Sequence, residues 1–364
     1  MKIRSWTMLM SLAVLTNGAA LAQDAPQPNA APDSERDAGL ASITEPESWS
    51  LRDMRLRDTT LYWDNDGTFA NLVDNSDRFY TNGLGIELSF DPNLTSSLKD
   101  KLAPAGEWDD PRFGFGLALK QRIYTSEIIT QTNPPADDHP YGGYLYLSFS
   151  FQRADNEKHD HFGLDLGVVG EWSGAESVQE FIHNAYPDQD DPLGWDTQLA
   201  NELAINFNYT RTWRSEKAEL WGVEMEMLPA IGFELGNVAI MGHAKMTLRA
   251  GHNLPNDFGP ATFLGHKDHT VQGADWGEGD FSFYVYGSVG ADAVGRDIFL
   301  DGNTFASSRS TDSEPFVARA SVGLVLRYKQ LYAGWAQNFL TERFESQPNG
   351  QTFGSVVLGY SYQF

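Results

Sequence analysis

From about residue 58 onward the chain keeps a two-residue hydrophobic period through one segment after another, and that alternation limits its fold more than any other feature. In Tyr80–Phe90, Leu84, Ile86, Leu88 and Phe90 share one face. In Phe281–Tyr286, Phe281, Phe283 and Val285 share one face and Ser282, Tyr284 and Tyr286 the other, because successive side chains of a strand point to opposite sides. The same pattern predicts strands at Thr60–Asp66, Arg112–Tyr124, Tyr144–Arg153, Asp160–Trp172, Gln198–Trp213 and Ala218–Glu234. It continues through Asn237–His252, Asp280–Val294, Phe316–Tyr328, Leu331–Phe344 and Thr352–Phe364. Ordinary globular strands run to about 5–6 residues. A tilted bilayer crossing takes about 9–11, and most of these twelve segments are that long or longer. An even number of long alternating strands predicts an all-β fold, a twelve-stranded antiparallel transmembrane β-barrel. A soluble periplasmic barrel or sandwich is the alternative.

Composition narrows the partners. The net charge of −24 excludes nucleic acid, because neutralising phosphates takes a basic surface. With no cysteine, disulfide scaffolds and thiolate sites are excluded. Beyond the N-terminus no apolar run reaches the about 18 residues of a membrane helix. Met1–Ala22 carries Lys2 and Arg4, an apolar stretch and Ala20-Leu21-Ala22, the pattern of a signal peptide cut before Gln23. Residues 23–57, rich in Ala, Pro, Asp and Glu at their start, are expected to be a disordered linker, and 58–364 the barrel. The last strand alternates aromatics up to Phe364. Such an ending resembles the assembly signal of outer-membrane barrels, so the barrel assembly machinery is an expected partner, with a monomer as product. The segments 253–279 and 301–313, rich in Gly, Asp and Ser, are expected to be loops.

Three clusters could carry chemistry. Glu176–His183 predicts a short loop helix in which Gln179 and His183, four residues apart, stack on one face. Asp64-Asn65-Asp66 ends the first strand and Asp77–Gly83, with Tyr80, Thr81 and Asn82, opens the second, so both flank one hairpin at one rim. Asp64 and Asp66, two apart, are expected on one strand face, where their oxygens suit a hard cation such as Ca²⁺; a solvated turn is the competing reading. An imidazole titrates near neutrality, which suits His183 to act as a general base. No Gly-x-Ser-x-Gly elbow occurs, which favours water as nucleophile with a metal polarising a carbonyl. His159 and His161 are expected to be solvated edge residues rather than transition-metal ligands. Gly142-Gly143, between Tyr141 and Tyr144, predicts a close backbone approach.

Taken in order, several motifs give the chain a resemblance to the outer-membrane lipid A 3′-O-deacylases. They are Asn65-Asp66, Asp77-Arg78-Phe79-Tyr80-Thr81-Asn82-Gly83, Ile123-Tyr124-Thr125, Asp138–Leu145, Leu166–Gly170, Gln179 with His183, and Gly194–Leu199. The resemblance covers Leu61 to Trp213 and implies a twelve-stranded outer-membrane barrel with its active site between the wall and an extracellular-loop helix. The implied reaction is Ca²⁺-dependent hydrolysis of the 3′-acyloxyacyl ester of lipid A (lipopolysaccharide). It implies His183 as base with Gln179 beside it, Asn65 and Asp66 at the cation and carbonyl, and Thr81 lining the pocket. Asp64 is the second expected metal ligand, and Tyr80 and Asn82 the expected substrate contacts. The chain departs from the family pattern at His139, where members tend to have Arg. It also lacks any Lys or Arg between Arg122 and His139, where the family carries a Lys. The missing cation in that loop bears on recognition of the lipid A phosphate. Two other functions remain open on the residues alone: a non-enzymatic barrel (pore or structural protein) and a hydrolase of another membrane lipid.

Overall fold

The computed structural model describes residues 54–67, 71–73, 78–185, 190–264 and 279–362. The expected signal peptide, most of the linker, Asp77 and the terminal Phe364 lie outside the described residues. The strands are β1 (Arg55–Asn65), β2 (Phe79–Asp91), β3 (Arg112–Thr125), β4 (Gly142–Ala154), β5 (Lys158–Val169), β6 (Glu202–Trp213) and β7 (Ala218–Leu220). They continue with β8 (Val223–Gly236), β9 (Ala239–His252), β10 (Phe281–Asp297), β11 (Phe316–Tyr328), β12 (Leu331–Leu340) and β13 (Gln351–Ser361). Neighbours pair antiparallel. The pairings of β1 with β13 and of β6 with β8 close the sheet on itself. β7 only prolongs the line of β6 along the start of β8, so the closed barrel has twelve staves.

The departures from the expected strands have local causes. Ala218–Glu234 is a hairpin rather than one strand, because Trp221 and Gly222 both take positive φ, 53° and 79°, the two-residue turn that matches strand twist. Asp160–Trp172 stops at Val169. There Gly170 turns at φ 88° and a 3-10 turn, Glu171–Ser173, follows. β1 begins at Arg55, inside the segment expected to be linker. β6 begins at Glu202, and β12 ends at Leu340, where Thr341 turns to bond Ala318.

Alternation sorts the two faces. Phe281, Phe283 and Val285 are 47%, 40% and 55% exposed, while Ser282, Tyr284 and Tyr286 are 2%, 2% and 7%. Leu61, Ile86, Leu119, Leu147, Leu203 and Leu324 join the exposed apolar set around the wall. A belt of that extent belongs in lipid. β1 enters and β13 leaves at the same end, which in such barrels is periplasmic. The loops after β1, β3, β5, β10 and β12 therefore lie at the outer end.

The lumen is filled from both ends. From the periplasmic end, residues 253–264 fold back into it. Phe263 meets Tyr62 edge-on at 6.3 Å, and Lys120 Nζ donates to the Phe263 carbonyl at 3.3 Å. Gly83 and Gly85 leave the room: a Cβ on either would lie 3.0–3.2 Å from the Phe263 ring. Cations hold this plug by its backbone. Arg249 donates to the carbonyls of Pro255 and Asp257, each at 2.9 Å, and pairs with the carboxylates of Asp257 and Glu226. Arg214 donates to the Asp257 carbonyl at 2.7 Å, and Lys217 to that of Leu254 at 2.7 Å. At the outer end an aromatic cap includes Tyr124 stacked on Phe299 at 4.1 Å; Phe299 belongs to the four-residue helix α3 (Ile298–Asp301), which follows α1 (Ser96–Leu102) and α2 (Ala175–Ala185) in the chain. Between the plug and the wall lies a cavity of about 210 Å³. His159 and His161 face it, 6% and 1% exposed, bonded to Gln152 and Asn208. They are luminal rather than solvated, because the strand parity that puts Phe162 outside puts them in.

Candidate functional site

A second helix, α2 (Ala175–Ala185), lies on the other side of the wall. Its residues at i, i+4 and i+8, namely Ala175, Gln179 and His183, are 1%, 1% and 7% exposed, whereas Phe181 is 74% exposed. Ala175 and Val178 pack with Ile123, Tyr141 and Trp195. Ile123 has the parity of exposed Leu119, so α2 covers the lipid-side surface of the wall near its outer rim. Gly143 makes this contact possible: a Cβ there would overlap Ser173 Oγ and Ala175 Cβ. The close approach expected of the Gly-Gly pair is thus the seat of the helix. Gln121 Nε2 donates to the Ser173 carbonyl at 2.7 Å and ties the helix's approach to β3.

Two polar contacts define the chemistry of the buried stripe. His183 Nδ1 lies 2.7 Å from the Asp190 carbonyl oxygen. A carbonyl only accepts, so Nδ1 carries the proton and Nε2 keeps its lone pair. Trp195 Nε1 donates to Gln179 Oε1 at 3.1 Å. Indole nitrogen only donates, so that end of the amide is its oxygen, and Nε2 of Gln179 has no hydrogen-bond partner among the described residues.

The β1–β2 hairpin supplies oxygens at the same outer end. Asn65 Nδ2 and the Asp66 amide both reach the Thr81 carbonyl at 3.3 Å. The Gly67 amide donates to Asn65 Oδ1 at 2.9 Å and the Arg78 amide to Asp66 Oδ2 at 2.8 Å. Thr81 and Thr125 join their hydroxyls at 2.8 Å, linking β2 to β3. A bulge at Tyr80–Asn82 splits the two residues between faces: Tyr80 packs with luminal Tyr124 at 5.4 Å, and Asn82 takes the parity of exposed Ile86. Asn82 is 2% exposed with neither amide atom partnered among the described residues.

Two expectations need correcting. Asp64 and Asp66 do not share a face. β1 ends at Asn65 and the chain bends at Asp66, while Asp64 points into the lumen and accepts from Tyr80 Oη at 3.0 Å. Tyr80, expected at the substrate, is therefore luminal too. Asn65, Asp66, Thr81 and Asn82 gather at the rim, and Gln179 and His183 gather on α2. The two groups are joined through β3, whose Thr125 holds Thr81 and whose Ile123 seats the helix. Among the described residues no three His, Cys, Asp or Glu side chains cluster as a metal site. Sequence reasoning gave no role to Trp195, Thr125 or the Asp190 carbonyl. Only their contacts across the fold reveal them.

The departures at His139 and in the loop before it also have structural accounts. His139 is 1% exposed, stacked on Tyr124 at 5.5 Å, with Nδ1 donating to the Pro140 carbonyl at 2.8 Å. Burial, aided by Arg343, holds its imidazole down to about 3, neutral at any ordinary pH. It is a packing residue of the outer cap. The loop without cations is held by one from elsewhere: Arg309 donates to the Pro134 carbonyl at 2.7 Å.

A family model and one solved structure agree with this architecture. The family described as outer membrane protein LpxR matches residues 8–362. The solved structure of LpxR from Salmonella typhimurium aligns with 84% of this chain and 100% of its own, at a TM-score of 0.66 and 16% identity. The β domain of the Bordetella autotransporter BrkA covers 85% of this chain and 98% of its own, at 12% identity and a TM-score of 0.41. No curated protein sequence matches the chain significantly. At such identity the Salmonella structure speaks for a shared fold, the closed twelve-stranded antiparallel barrel. The family match runs from residue 8 through the last strand, so the chain belongs to the outer membrane protein LpxR family and is a β-barrel of the outer membrane.

Proposed function

We propose that the protein is an outer-membrane lipid A deacylase that hydrolyses the 3′-acyloxyacyl ester with water activated by His183. The observation that carries the reading is the tautomer of His183: a basic Nε2 on the buried stripe of a helix laid against the lipid-side wall. A lipid in the outer leaflet reaches that wall without leaving the membrane, whereas plug and cap occupy the lumen. The same filling speaks against a pore.

In the reading, His183 Nε2 takes a proton from water as the water oxygen attacks the ester carbonyl carbon. The carbonyl π pair moves onto its oxygen. Collapse of the tetrahedral intermediate breaks the bond to the lipid A oxygen and expels the lipid A alkoxide, which takes the proton back from His183, leaving the acyloxyacyl group as a free acid and a hydroxyl on lipid A. The Asp190 carbonyl holds the ring and favours the imidazolium form. Oxygen donors at the hairpin suit Ca²⁺: the buried Asp66 carboxylate and the Asn65 and Asn82 amide oxygens are hard ligands. Asp66 would hold the ion, with Asn65 beside it. When bound, Ca²⁺ supplies Lewis-acid polarisation of the carbonyl. Asp64 stands on the other side of the wall and is left out.

Mass spectrometry of lipid A from cells making the protein tests the reading, with Ca²⁺ and with chelator. Calcium-dependent loss of one acyloxyacyl group, abolished in His183→Ala, is expected. Unchanged lipid A in both conditions, or a fully active His183→Ala, refutes it.

A further inference from the structure

We propose that Gln179 Nε2 is the hydrogen-bond donor to the oxyanion formed at the ester carbonyl, and that Trp195 is the positioning residue that turns the amide to present it. The proposal rests on the hydrolase reading above and deepens it.

Three observations carry it. First, the amide polarity is dictated: Trp195 Nε1 can only donate, so at 3.1 Å it selects Oε1 of Gln179 and turns Nε2 away. Second, Nε2 is buried on a residue only 1% exposed and has no partner among the described residues. An unmade buried donor is destabilising, a cost a site carries when its acceptor arrives with the substrate. Third, Gln179 lies one helical turn from His183 on the same buried stripe. A donor there serves the oxygen of the carbonyl whose carbon the His183-activated water attacks.

Trp195 is itself fixed for the purpose. It is 3% exposed, sits in the 3-10 turn Trp195–Thr197, and meets Tyr141 edge-on at 5.2 Å. The Tyr141 hydroxyl in turn donates to the Ile129 carbonyl at 3.1 Å. The indole therefore cannot swing to release the amide. Without its N–H, the amide is free to flip and aim its carbonyl oxygen, a repulsive group, at the developing negative charge.

The test measures fatty-acid release from purified lipid A in detergent micelles with Ca²⁺, using barrels whose folding is verified by heat-dependent gel migration. Gln179→Ala is expected to lower kcat by about 10²–10³-fold, the effect of losing one oxyanion donor, with KM within about two-fold. Trp195→Phe keeps an aromatic ring against Tyr141 and removes the N–H together with part of the buried indole. It should lower kcat in the same way, and Trp195→Phe with Gln179→Ala should be no slower than Gln179→Ala alone. The pH midpoint of activity should be unmoved in Gln179→Ala and Trp195→Phe.

If Trp195→Phe does not fold, Gln179→Glu replaces it: its carboxylate accepts from Trp195 but offers no N–H, and the same loss of kcat is expected. Wild-type kcat in Trp195→Phe, or an additive double variant, overturns the positioning role. A shifted pH midpoint in Gln179→Ala overturns the oxyanion role, because Gln179 would then act on His183. A wild-type protein that releases no fatty acid overturns both this assignment and the hydrolase reading. An active wild type with indifferent variants overturns this assignment alone.

Discussion

Removing Arg249 should unlatch the lumen. Its side chain is 0% exposed, as is that of its partner Glu226, and Asp257 is 9% exposed. All three guanidinium nitrogens are engaged: Nε with Glu226, Nη1 with Asp257, and Nη2 with the carbonyls of Pro255 and Asp257. In Arg249→Ala the nearest remaining cation to Glu226 is Arg214, at 3.8 Å. Breaking a buried pair by deleting one partner costs about 3–5 kcal/mol. That cost falls on the conformation in which residues 254–264 occupy the lumen. At about 1.4 kcal/mol per tenfold, the withdrawn plug should become about 10²- to 10³-fold more populated. The chain has no cysteine, so a single Ala261→Cys reports the withdrawal without background. Ala261 packs against the cluster that contains Phe263. Maleimide added from the periplasmic side should label Ala261→Cys slowly with Arg249 present, and about 10²- to 10³-fold faster with Arg249→Ala, as long as reclosing outpaces labelling. Equal rates in barrels of equal integrity would refute the reasoning that the buried ion network holds the plug.

Three further outcomes are expected. Gly143→Ala should leave an assembled barrel but lift α2 off its seat, because the new Cβ meets Ser173 and Ala175. A shift of about 1 Å at His183 lowers deacylation about 10²-fold, and a wild-type rate in that variant would contradict the seating. On the proposed mechanism, Asp66→Asn should abolish fatty-acid release at every calcium concentration, while Asp64→Asn, on the luminal side, should stay within a few-fold of wild type; calcium titrations of fatty-acid release separate the two. His139 titrates near 3 in the folded protein against about 6.5 in an open chain. Between those values the unfolded state binds a proton that the native state excludes, so stability falls as pH drops below about 6.5. Between pH 6.5 and 4 the loss should be on the order of 3 kcal/mol. His139→Phe should flatten that slope in urea midpoints of vesicle-embedded protein, and an equally steep slope in the variant would point to other groups.

The barrel was legible because period-two alternation is local. Phe281, Phe283 and Val285 face lipid whatever the partner strands are, and an even count of long strands closes on itself. Strand ends were less legible. Trp221-Gly222 and Gly170 stop or turn strands through φ values above zero, and the hydrophobic pattern around them continues unbroken. The Gln179/His183 face was visible because helical spacing is also local.

The sequence by itself determined an all-β outer-membrane barrel, its lipid face, and a short helix bearing Gln179 and His183. Only the tertiary structure decided which side of the wall each polar residue occupies. Asp64 and Asp66 are two residues apart, but the strand ends between them, so one carboxylate faces the lumen and the other the rim. Tyr80 and Asn82 are likewise parted by a bulge that no periodicity announces. The plug, the tautomer of His183 and the polarity of Gln179 depend on partners far away in the chain or lodged in loops: Arg249 on Asp257, Asp190 on His183, Trp195 on Gln179. A hydrogen bond's direction is set by which group can only give and which can only take, and that pairing exists only once the chain has folded.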